Sequence, residues 1–183
     1  VCSWTATEAV VSDAVYPSIT VDAQGNWHMV YVDYAESGGN YFAYLKYMNS
    51  YLAPVIIAEA QVWYNGVYHG GHFYNLSIAV SLTGAVHIMY EADDTIYIMN
   101  NITSSWSIPE VITGVGDSSF AIDAQGNRHI VSSGGYLLDG IVYSFIQYMS
   151  NTSVPVILAE AQHPLGQSSG EYVKDPSIAI GPN

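Results

Sequence analysis

Apolar residues in this chain come in short runs that fill consecutive positions rather than alternate ones. Trp27-His-Met-Val-Tyr-Val32 and Tyr41-Phe-Ala-Tyr-Leu-Lys-Tyr-Met48 are apolar at both odd and even positions. Successive side chains of a strand point to opposite faces, so these runs describe strands covered on both sides. The runs are rich in Val, Ile, Tyr and Thr, which suit pleated structure. No apolar pattern of 3.6-residue period persists for ten residues, so the expected class is all-β. The first part of the chain reads as four strands near 17–23, 26–33, 41–48 and 53–59.

The same order of parts recurs. Ile19-Thr-Val-Asp-Ala-Gln-Gly-Asn-Trp-His28 returns as Ala121-Ile-Asp-Ala-Gln-Gly-Asn-Arg-His129, Tyr47-Met48 as Tyr148-Met149, and Pro54-Val-Ile-Ile-Ala-Glu-Ala60 as Pro155-Val-Ile-Leu-Ala-Glu-Ala161, all 101 positions apart. A shorter cousin lies between, with Ser77-Ile-Ala-Val, Gly84-Ala-Val-His87, Tyr97-Ile-Met99 and Ser105-Trp-Ser-Ile-Pro-Glu-Val-Ile112. In each unit a turn residue bonds its own backbone and a glycine supplies positive φ: Asp22 with Gly25, Asp123 with Gly126, and Ser81 with Gly84.

Small sheets covered on both faces suit a radial stack of four-stranded blades, and units of this length suit propeller blades better than solenoid coils. The expected architecture is a β-propeller of antiparallel four-stranded blades, with an irregular β-sandwich as the alternative. Its blades fall near 11–60, 75–113 and 118–161, with orphan strands at 3–10 and 176–181. Three blades do not close a ring of four to eight, so other chains complete it or the chain is part of something longer. A long second hairpin is expected at 33–40 and at 132–139, and long links at 61–74 and 162–174. Val1 opens the chain without a basic-then-apolar leader, which reads as a mature or excised piece.

The run Pro17-Ser-Ile-Thr-Val-Asp-Ala-Gln-Gly-Asn-Trp-His-Met-Val-Tyr31, with Tyr44-Leu-Lys-Tyr-Met48 and Trp106-Ser-Ile-Pro-Glu-Val-Ile112, resembles the sialidase-like (BNR-like) β-propeller repeats. The resemblance covers most of the chain and implies architecture rather than activity. The family's Asp-box, Ser-x-Asp-x-Gly-x-x-Trp, is not matched: Asp22 and Gly25 are three apart and sit in the first hairpin. The family's sialidases hold a substrate carboxylate with three arginines, and Arg128 is the only arginine here. The resemblance therefore implies a non-catalytic member or fragment.

Charge narrows the picture further. Three basic and sixteen acidic residues give a net charge of −13, with half the residues hydrophobic. Lys46, Arg128 and Lys174 cannot form the basic face that nucleic acid requires, nor the basic side of a membrane-surface helix. No apolar run is long enough to span a bilayer as a helix. Many Tyr, Asn and Ser with few Lys read as an extracellular or cell-surface protein. Cys2, the only cysteine, cannot form an intrachain disulfide.

The best site candidate is the first long link, whose Trp63, Tyr64, Tyr68, His69 and His72 place rings and imidazoles in a glycine-rich segment. Rings of this kind stack on sugar faces, making a glycan the expected ligand and copies of the chain the other expected partner. His28, His87 and His129, with Asp22, Gly25, Asp123 and Gly126, are periodic and read as parts of the repeat. Glu91, Asp93 and Asp94 offer a cation or glycosidase pair, or a solvated acidic hairpin. Glu8, Glu59, Glu110 and Glu160 occupy corresponding blade ends. Asn75, Asn101 and Asn151 begin glycosylation sequons, while Asn49 stands in the matching region without one. No cofactor, catalytic or metal motif emerges. The expected function is a non-catalytic surface, structural or glycan-binding module able to assemble through open ends. A polysaccharide lyase or glycoside hydrolase, whole or in part, is the alternative.

Overall fold

The computed structural model describes residues 11–64, 67–68, 70–103, 105–112, 116–151, 153–165, 173 and 176–180, and only the backbone of Tyr64. The expected strand at 3–10, with Cys2 and Glu8, lies outside these residues, as do His69 and Lys174.

The described chain is all-β, and its strands form three antiparallel sheets, one of them curled into a half-barrel. The first sheet holds β1 (Val15–Val21), β2 (Trp27–Ser37), β3 (Asn40–Asn49), β4 (Leu52–Tyr64) and the short β5 (Val67–Tyr68). The second holds β6 (Tyr74–Val80), β7 (Val86–Ala92), β8 (Thr95–Asn100) and β9 (Glu110–Ile112). The third holds β10 (Ser118–Ile122), β11 (Arg128–Leu138), β12 (Ile141–Ser150) and β13 (Ser153–Pro164). In every sheet the strands lie side by side in chain order.

Burial explains the unalternating apolar runs. Every residue of β7 is buried. Val86, Ile88, Tyr90 and Ala92 join Val30, Val32, Leu45 and Tyr47 of the first sheet in one cluster. Met89, with Ile96 and Ile98, meets Phe120, Ile130 and Met149 of the third sheet in another. The second sheet is thus packed on both faces, and its inner residues are each stabilised by about 1.5–3 kcal/mol of transfer from water. Val11, Ala14 and Trp27 pack on Met29, Tyr31 and Met48 at the far face of the first sheet. In the third sheet, by contrast, β13 leaves Val154, Val156, Ile157 and Leu158 exposed.

The first strands of the three sheets stand together, with β6 against β1 on one side and β10 on the other. Polar bonds join the second sheet to the third: Ser118 Oγ donates to Glu91 Oε1 (2.5 Å), Asn75 Nδ2 to Asp117 Oδ1 (3.2 Å) and Ser77 Oγ to the carbonyl of Phe120 (3.4 Å).

Three expectations need correcting. Within the long hairpins at 33–40 and 132–139 the strands run further than expected. Pairing continues to Ser37↔Asn40 and to Leu138↔Ile141. Gly38 and Gly39 (φ 62° and 81°), and Asp139 and Gly140 (φ 50° and 77°), supply the left-handed backbone that a two-residue hairpin turn requires. The links are also shorter than expected, because β4 and β13 run into them and keep pairing with β3 and β12 as far as Trp63 and Pro164. At 176–180, where an opening strand is expected, the described residues form no strand, although Ile178 N–H donates to Ser119 Oγ (3.3 Å).

Candidate functional site

In an antiparallel meander the β2–β3 turn and the exit from β4 fall at the same end of the sheet. There the first link folds back, with β5 pairing onto the end of β4 through Trp63↔Tyr68. This places a series of rings in contact. Trp63 and Tyr68 have centroids 5.6 Å apart, Tyr68 and His72 5.4 Å, and His72 and Tyr34 of β2 5.8 Å. The Tyr34 hydroxyl and His72 Nδ1 are 3.0 Å apart and hydrogen-bonded. Burial raises the Tyr34 phenol above its usual pKa, so it stays protonated at neutral pH. Tyr34, Gly39, Tyr41, Val62, Trp63 and His72 enclose a mainly apolar cavity of about 270 Å3. Trp63 remains 42% exposed and Tyr41 47%, so both rings can be reached from solvent.

A second cavity of about 500 Å3 shares Tyr34 and His72 with the first and adds Tyr16, Tyr68, Gly70, Tyr74, Asp93 and Asp94. Asp93 and Asp94 form the β7–β8 turn, both at positive φ (48° and 57°), which aspartate tolerates. The Gly71 N–H donates to Asp93 Oδ1 (3.0 Å), and the Asp94 N–H donates to the Tyr74 hydroxyl (3.2 Å). Gly70 and Gly71 have φ of 81° and 78°. A Cβ on Gly70 would stand 2.6 Å from Asp93 Oδ1, and one on Gly71 3.1 Å from the Ala60 Cβ. The glycines thus let the link pass between the acidic turn and β4, drawing the aspartates to the aromatic cleft.

Tyr16, at the mouth of the second cavity, has φ 51° in a bulge of β1 between Val15↔Val32 and Ser18↔Val30. A bulky residue rarely adopts this backbone, and the following Pro17 narrows its options further. Its side chain is more than half exposed, so little packing offsets the strain. Tyr16→Gly should therefore raise stability by about 1 kcal/mol, read as a rise of roughly 2–4 °C in Tm. An unchanged or lower Tm would mean that this backbone is unstrained.

The repeated histidines lie at the opposite end of the sheets, beside the first hairpin turns. Asp22 Oδ1 accepts from the Gln24 and Asn26 N–H groups (2.9 and 2.8 Å), and Oδ2 accepts from Asn26 Nδ2 (2.9 Å). His28 lies between Asp22 Oδ2, 3.3 Å from Nε2, and the Tyr47 hydroxyl, 2.7 Å from Nδ1. The third sheet repeats this with Asp123, Asn127, His129 and Tyr148. Gly25 and Gly126 supply the turns' positive φ, both 85°. In the second sheet Ser81 replaces the aspartate. By register Ile98 replaces the tyrosine, since Ile98↔Met89 corresponds to Tyr47↔Val30. His87 is only 5% exposed, and among the described residues its Nδ1 has no hydrogen-bond partner. Burial, reinforced by Arg128, lowers its pKa.

The asparagine side-chain amides, with further hydrogen bonds from the turn and His28 or His129, hold the Asp22 and Asp123 carboxyls at about 2. Unfolded aspartates take up a proton near pH 4. Their stabilisation is thus complete above that pH and is lost as pH falls towards 2. In urea unfolding from pH 5 to pH 2, wild type should lose stability more steeply than an Asp22→Asn/Asp123→Asn variant. Equal slopes would remove these carboxylates from the acid response.

The other candidates are dispersed. Glu91 points away from the aromatic cleft towards Ser118. It is buried, and burial raises its pKa. Glu59 and Glu160 pair with Tyr44 and Phe145 in their ladders. Glu110 forms a two-point ion pair with Arg128, at 2.6 and 3.3 Å. Lys46 is bonded to Asp33 at 2.5 Å. Both described cations are thus already matched with carboxylates. Asn101 and Asn151 use their amide oxygens to accept from the Val86 and Arg128 N–H groups, while Asn75 donates to Asp117. Ser50, rather than Asn49, is their counterpart at Trp27 in the first sheet. Among the described residues no group of three His, Cys, Asp or Glu side chains is placed to hold a metal ion.

Of the residues singled out in the first link, Trp63, Tyr68 and His72 meet in the cleft. The side chain of Tyr64 and all of His69 fall outside the described residues. Sequence reasoning missed Tyr16, Tyr34 and Tyr41 as cleft residues and did not connect Asp93 and Asp94 to it. No protein-family model and no curated protein matches the chain.

Proposed function

We propose that this chain is part of an extracellular β-propeller module and that its aromatic cleft binds glycan without catalysing a reaction. Three consecutive meanders with adjacent first strands, and a middle sheet packed on both faces, support the blade reading. The cleft of Tyr34, Tyr41, Trp63 and His72 carries the binding reading. Reachable rings offer apolar faces to the C–H face of a sugar, while His72 and the nearby aspartates offer partners to its hydroxyls. With both described cations matched elsewhere, no described lysine or arginine of the cleft neutralises an acidic sugar, so the reading favours neutral glycans. A broad glycan array should return neutral oligosaccharides whose signal falls with Trp63→Ala. An array without binders would overturn the lectin function.

A second reading, hydrolysis or elimination on a polysaccharide, rests on His72, Asp93 and Asp94 lining one cavity. It requires cleavage of an array-positive oligosaccharide that is lost in His72→Ala. Unchanged product formation in that variant would remove it.

A further inference from the structure

At the opposite end from the aromatic cleft, a cavity of about 170 Å3 lies between the Ser81–Ala85 turn of the second sheet and the Ala124–Gly126 turn of the third. His87 forms part of its wall. We propose that this cavity is a binding site for a small carboxylate, held by His87 with the hydroxyls of Ser81 and Thr83.

His87 differs from its two counterparts in the partners its ring meets. In the first and third sheets the equivalent imidazoles each face an aspartate carboxylate, at 3.3 and 3.2 Å, and a tyrosine hydroxyl, at 2.7 and 2.8 Å. In the second sheet both partners are gone, because Ser81 and Ile98 occupy their positions. The Ser81 oxygen takes over only part of the carboxylate's work. It accepts the Ala85 N–H (3.1 Å) and contacts Thr83 Oγ1 (2.9 Å), as one aspartate oxygen serves the turn elsewhere. The second aspartate oxygen, which faces the histidine in the other sheets, has no counterpart. The ring remains buried: its Nδ1, the nitrogen that meets the tyrosine hydroxyl in the other sheets, is unpartnered among the described residues, and its Nε2, the nitrogen that meets the aspartate there, has no carboxylate before it.

The chain carries sixteen acidic residues, yet none lines this cavity. Arg128, ion-paired with Glu110, is close enough to act on His87. Besides His87, the polar wall consists of two mutually bonded hydroxyls, one of which keeps a proton to donate, and the Gln125 amide, while Leu82 and Ile102 can cover a short alkyl tail.

Sodium acetate and formate provide the probes, with sodium chloride at equal ionic strength as the control. NMR of the histidine ring should show a saturable shift confined to His87 with Kd in the millimolar range. Ser81→Asp supplies the carboxylate from the chain itself. It should reproduce the His87 shift without ligand and weaken the acetate response by at least about tenfold. Should that variant not fold, Ala124→Phe, at an exposed turn position, blocks the cavity from the facing sheet and should abolish the response. Absence of a saturable His87 shift, an equal shift with chloride, or an undiminished acetate response in the blocked variant would each overturn the assignment.

Discussion

Ile88→Ala is expected to destabilise the protein by about 3 kcal/mol, and Met89→Ala by a similar amount. These neighbours in β7 point to opposite faces of the second sheet. Ile88 packs in the cluster shared with the first sheet, and Met89 in the cluster shared with the third. Both are completely buried. In a sandwich of two sheets one of the pair would face solvent, and its truncation would cost little. In a stack of three sheets both leave cavities, and neither wall can collapse freely because strands lie on each side. Val156→Ala on β13, half exposed, should cost less than about 1 kcal/mol. Urea unfolding of the three variants tests this reading. A cost at Ile88 alone would leave the third sheet unattached to the second.

Trp63→Ala is expected to weaken glycan binding by about 2 kcal/mol, roughly thirtyfold in Kd. The indole lines the cavity at the end of β4 and has Tyr68 on one side. Its truncation removes the largest ring in the cleft while leaving the strand ladder intact. Because the side chain is 42% exposed, its loss should destabilise the fold only modestly. Trp63→Phe keeps a stacking face and should retain most of the affinity. A shared thirtyfold loss in both variants would point to the indole N–H rather than to stacking.

Much of the fold was legible in the sequence because the repeat brings its register with it. The turn Asp22 to Asn26 and its copy Asp123 to Asn127 fix one end of each hairpin, and apolar runs on both faces announced buried strands. The lengths of β2, β3, β11 and β12 were less legible. The strands were expected to stop short of Gly38-Gly39 and Asp139-Gly140, whereas the backbone there forms tight turns that let pairing continue. The aromatic link stood out by its composition, but its acidic partners did not. Asp93 reaches the link only because Gly70 and Gly71 permit a close crossing, and no local pattern encodes that approach. Tyr34 and Tyr41 were hidden among strand residues, since a tyrosine on a pleated surface reads first as packing. The departure at His87 was half visible: the replacement of Asp by Ser was legible at position 81, while the matching loss of tyrosine at 98 required the strand register.

The central claim is that the cleft around Trp63 binds a sugar by stacking. The most direct test is calorimetric titration of wild type and Trp63→Ala with a neutral oligosaccharide selected on the array. The account predicts saturable binding to wild type, with Kd raised roughly thirtyfold in the folded variant. Equal affinity in the two proteins would contradict it.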